Sequence, residues 1–88
     1  EFEDILISNL KERSLDLLND TLEVIQTYYK GAERKLPSDA LEIIKIRINK
    51  AKKKSEAVGC LQTLVKLGYI GEFEALDRID EWKEKNYY

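Results

Sequence analysis

Apolar residues recur along this chain at three- and four-residue steps in three blocks, and the blocks are parted where glycine or proline falls. That spacing puts them on one side of an α-helix, so the pattern predicts an all-α chain with helices over 3–30, 38–67 and 72–85 and no sheet. In the first block Leu15, Leu18, Leu22, Ile25 and Tyr29 form a strict seam. Leu6, Leu10, Leu17, Val24 and Tyr28 form a second stripe, displaced by about a quarter to a third of a turn. Ser14 and Asn19 can each cap a new start, so the first helix has two places at which it can break.

The second block opens at Leu36-Pro37-Ser38-Asp39, where proline discourages a preceding helix and serine can accept the first free backbone N–H groups. A continuous helix from there to Leu67 would measure ~45 Å. Its seam of Leu41, Ile44, Ile48, Ala51, Ser55 and Val58 gives way to Ala57, Val58, Leu61, Leu64 and Val65, about a third of a turn round, so its two halves should face different neighbours. Ala51, Ser55 and Gly59 are small enough to permit close helix approach or a local bend. Gly31 is expected to end the first helix, and the short polar link that follows favours an antiparallel hairpin. Gly68 suits the left-handed residue just past a helix end, with Tyr69 and Ile70 expected to turn in and plug the hairpin. The third helix then carries Phe73, Leu76, Ile79, Asp80 and Trp82-Lys83 at the relevant steps, the apolar ones expected to face the core, and Tyr87 and Tyr88 are expected to fray.

With 88 residues there is room for one small domain. Hydrophobic residues make up 43% of the chain against 36% charged, richer in apolar side chains than a disordered chain of mixed charge needs to be. The first two residues, Glu1-Phe2, match what a common cloning scar encodes, and nothing is built on Phe2. No apolar run approaches the ~20 residues that span a bilayer, and a single cysteine, Cys60, cannot form an internal disulfide, so the expected compartment is the cytoplasm, with no membrane association.

Charge is segregated. Residues 1–30 carry seven acids and three bases, residues 38–67 carry three acids and seven bases, and residues 68–88 return to six acids and three bases. The basic run of Lys45, Arg47, Lys50, Lys52, Lys53 and Lys54 has the composition of a phosphate-binding stripe. Against that, the chain is net −2, acidic helices flank the run, and no aromatic residue is interleaved to stack on bases. The run reads first as a solvated or acid-paired helix face; nucleic acid and an acidic protein partner are the functional alternatives.

Leu17, Val24, Tyr28, Ile43 and Ile46 lie off the main seams, and a third helix of about 14 residues, ~21 Å, is expected to be too short and to begin at the wrong end to cover them. A monomer rarely leaves such a patch open, so these five residues are expected to meet another chain, most simply a two-fold copy. Catalysis and metal binding find little support: there is no histidine, no Gly-rich phosphate loop and no nucleophile elbow, and the carboxylates follow no calcium-loop order. Neither a cofactor nor a metal is expected.

The stretch from Ala57-Val58-Gly59-Cys60-Leu61 through Leu67-Gly68-Tyr69-Ile70-Gly71-Glu72-Phe73 to Leu76 resembles the Leu-Gly-Leu-Ile-Ser-x-Glu-Glu helical hairpin near the end of many small phage and mobile-element proteins of low-GC Gram-positive bacteria, with Gly71 in place of the usual capping serine. The resemblance covers under a third of the chain and implies an interaction role by analogy. The sequence thus points to a long helical hairpin plus a short third helix, completed by a homodimer or a heterologous protein partner. Its expected function is non-enzymatic: a regulator or inhibitor working by protein contact, with nucleic-acid binding as the alternative.

Overall fold

The computed structural model describes residues 2–30 and 35–86, and among these the chain is all-α, with five helices and no strand. They are α1 (Phe2–Leu10), α2 (Leu15–Tyr28), α3 (Ser38–Lys50), α4 (Lys54–Lys66) and α5 (Glu72–Asn86). Gly31 and the link after it, like Tyr87 and Tyr88, lie outside the described residues.

The first helical block breaks at Ser14, one of the two positions able to cap a new start. Ser14 is extended (ψ 122°), and its hydroxyl accepts from the Leu17 N–H at 3.3 Å, satisfying one of the free donors of the first turn. Because of this break α1 is a separate helix that packs against both α2 and α3. Leu6 and Leu10 are therefore buried from α1, while Val24 and Tyr28 remain exposed on α2, so the second stripe is not continuous.

The expected ~45 Å second helix is two helices of 13 residues each, α3 and α4. Ala51 (ψ 132°) and Lys53 (ψ 139°) are extended and turn the chain between them. Two causes are visible in the sequence. Lys50, Lys53 and Lys54 would stand at i, i+3 and i+4 on one helix face, where like charges destabilise. The apolar seam also changes face at this point, and a corner resets its phase so that Ile44, Ile48 and Ala51 before it and Ala57, Leu61 and Leu64 after it are all buried. At the start of α3 the cap position is Pro37, with no side-chain cap; Ser38 is already helical.

α4 sits at the centre, against α2, α3 and α5. Gly59 faces α2, where a Cβ would lie in ordinary contact, 3.7 Å from Asn19 Oδ1 and from Leu22 Cδ1. Buried Thr63 donates to the Gly59 carbonyl (2.9 Å) and accepts from Gln26 Nε2 (2.7 Å), and Gln26 Oε1 accepts from Lys66 (3.2 Å), joining α2 to α4 along their length. α4 ends in a Schellman turn. Gly68 takes φ +84°, the Tyr69 N–H bonds the Leu64 carbonyl at 2.9 Å and the Gly68 N–H bonds that of Val65 at 3.0 Å.

α5 buries Ala75 and Trp82, with Ile79 half-buried between them, which corrects the expected core-facing set. Phe73 (84% exposed) and Leu76 (57%) face outward, because the 75-79-82 series places the bulky indole against the α3–α4 corner. Trp82 Nε1 donates to the Ala51 carbonyl at 2.7 Å, which the corner has released from helical bonding. Ile70 packs on the core as expected, whereas Tyr69 is exposed.

Candidate functional site

Two corners, Lys11–Ser14 between α1 and α2 and Ala51–Lys53 between α3 and α4, frame an open depression of about 880 Å³. Its apolar lining comes from Leu10, Leu15, Ile43 and Ile46, and basic side chains stand on both sides: Lys11 and Arg13 from the first corner, Lys50 from the end of α3 and Lys52 and Lys53 from the second corner. Glu12 and Glu56 are the acidic residues in the lining, and Glu56 is already paired.

That pairing is made by Arg47, and it determines the geometry of the site. The Arg47 guanidinium binds Glu56 Oε2 through Nε (3.2 Å) and Nη2 (2.7 Å), and through Nη1 it donates to the carbonyls of Leu10 (2.7 Å) and Glu12. One side chain thus crosses the second corner and caps the C-terminal end of α1. Side chains of both ions are only 13–14% exposed. Arg47 is therefore engaged within the fold, as the acid-paired reading of the basic run has it; a planar fork with several donors suits this role better than an ammonium would. Lys45, Lys50, Lys52, Lys53 and Lys54 are exposed.

The five residues expected at an interface separate into different places. Ile43, half-buried against the core, and Ile46, 43% exposed, line the groove. Val24 and Tyr28 line a second, smaller hollow with Phe2, whose ring lies 4.7 Å from that of Tyr28. Leu17 is half-buried on α2. The covering element that a three-helix reading lacks is α1, which exists because the chain breaks at Ser14. The groove's other wall, Lys11, Arg13 and Leu15, was missed for the same reason; the signal available for it was the polar Lys11-Glu12-Arg13 run directly before a capping serine.

Cys60 is fully buried, and burial pushes its thiol up from 9.0 to about 12, with smaller opposing influences from Arg47, which lowers it, and Glu56, which raises it. It is a protonated core residue, a poor nucleophile at neutral pH. Among the described residues no three His, Cys, Asp or Glu side chains gather as metal ligands, and no helix is long and apolar enough to cross a membrane. No family model matches the chain, nor does any curated protein or solved structure.

Proposed function

We propose that this chain is a non-enzymatic, cytoplasmic interaction module, a regulator or inhibitor that works by binding protein. The observation that carries this reading is the groove: an apolar floor that keeps Ile46 43% exposed, between walls set with five basic side chains, Lys11, Arg13, Lys50, Lys52 and Lys53. Exposed branched apolar groups inside a charged rim are the anatomy of a protein-docking surface. The resemblance of residues 57–76 to the terminal hairpin of small phage and mobile-element proteins agrees with it by analogy.

Nucleic-acid binding is the second reading, favoured by the exposure of Lys45, Lys50, Lys52, Lys53 and Lys54. It asks a polyanion to approach a chain of net charge −2 and leaves the apolar floor without a role. Immobilised wild-type chain and an Ile46→Asp variant, exposed to the same lysate and read by mass spectrometry, separate the two. Loss of the recovered partner on Ile46→Asp supports protein docking. Salt-sensitive binding of a DNA duplex that survives Ile46→Asp and disappears when Lys50, Lys52 and Lys53 become glutamine would replace it with the second reading.

A further inference from the structure

We infer that the groove receives the acidic outer face of α5 from a second copy of this chain. This rests on the groove being a protein-docking site and names its occupant. The face of α5 opposite its buried stripe carries Phe73, Leu76, Asp77, Asp80 and Glu84, all exposed. At 100° per residue these five fall within about a third of the helix circumference. The surface holds two large apolar groups beside three acids and no base, on a 15-residue helix. The groove holds the opposite arrangement: Ile43 and Ile46 in the floor, and Lys50, Lys52 and Lys53 facing Lys11 and Arg13 at the rim. An amphipathic helix laid in an apolar groove is a recurring mode of recognition, and the charges here match the two surfaces to each other.

The contact has to be between molecules. Trp82 holds its own α5 against the Ala51 corner, beside the groove, and Phe73 lies nine residues earlier, ~13 Å back along the helix axis and on the side away from the core. Bringing Phe73 into the groove of the same chain would require pulling Trp82 out of its buried site. The two surfaces are also unlike each other, so in a closed pair each molecule gives its α5 face and receives its partner's. Two copies that exchange α5 faces reciprocally close as a two-fold pair with two grooves filled; a single unreciprocated contact would propagate.

Sedimentation equilibrium of the full chain and of mixed variants tests this. Wild type should dimerise, with an affinity that weakens at high salt. Phe73→Ser removes the apolar anchor from an exposed position and should weaken dimerisation by roughly a hundredfold or more, since the two-fold pair buries two phenyl groups and each contributes about ten- to a hundredfold; Ile46→Asp should weaken it from the groove side. Circular dichroism checks that both variants stay helical. A one-to-one mixture of Lys52→Glu/Lys53→Glu with Asp77→Lys/Asp80→Lys should associate where each alone does not, since both contacts of the mixed two-fold pair then join opposite charges. A wild-type chain that stays monomeric at high micromolar concentration, a dimer indifferent to Phe73→Ser, or a mixture that fails to recover would each overturn the inference. Only partner recovery that persists undiminished in Ile46→Asp would, by contrast, strike the docking-site reading itself.

Discussion

Burial decides the behaviour of individual residues here, and Cys60 shows it most directly. The folded thiol holds its proton up to about pH 12, whereas an unfolded one releases it near 9.0. The folded state therefore binds the proton more tightly, and the stability tied to this group is complete below pH 9 and is lost as the pH rises toward the folded value. Relative to Cys60→Ala, wild-type protein should lose denaturation midpoint progressively above pH 9, and at pH 8 iodoacetamide should label it only as fast as it unfolds. Two glycines make opposite predictions. At Gly59 an added methyl group meets its neighbours at 3.7 Å, ordinary contact, so Gly59→Ala should stabilise by about 0.5–1 kcal/mol through helix propensity. At Gly68, with φ +84°, Gly68→Ala should destabilise by ~1 kcal/mol or more. Urea melts of both variants check the pair of signs.

At the scale of elements, the corners are what separate this fold from a simple hairpin. Ser14→Ala deletes the hydroxyl that accepts from the Leu17 N–H at the start of α2 and should cost ~1 kcal/mol in a thermal melt. Trp82→Phe would keep most of the packing but leave the Ala51 carbonyl without its indole donor, at about 1–3 kcal/mol. The helical class, the seam of Leu18, Leu22, Ile25 and Tyr29, and the turn at Gly68 were legible in the sequence because each depends on local spacing and backbone preference. The corner at Ala51–Lys53 left a readable trace, a rotated seam beside a run of lysines, yet no glycine or proline marks it. Nothing local distinguishes a bend from a continuous helix there. What tips the balance is non-local: the Trp82 indole on the freed carbonyl, and Arg47 tied to Glu56 across the turn. The same limit applies to the groove. Ile43 and Ile46 were visible as apolar residues out of phase, but the wall opposite them is built by α1 folding back, and Arg47 changes from a free cation into a tie only when Leu10 is brought to it.

For the molecule as a whole, that tie has a consequence in time. Arg47 meets a carbonyl 37 residues earlier in the chain, and it does so only after α1 has folded back and the second corner has formed. α1 has nine residues, too few to persist as a helix alone. We expect contacts that need two finished corners to form after the rate-limiting step, so that removing them speeds unfolding while leaving folding almost untouched. Arg47→Met, which strips a mostly buried ion pair and two carbonyl bonds, should lower stability by about 3 kcal/mol. Nearly all of it should appear in the unfolding arm of a stopped-flow chevron. Hydrogen exchange should show α1 amides released well before those of α4, as a unit that opens by itself. The rate at which this chain finds its fold is then set by the local helices around α4, and the lifetime of the fold, once found, by a single guanidinium.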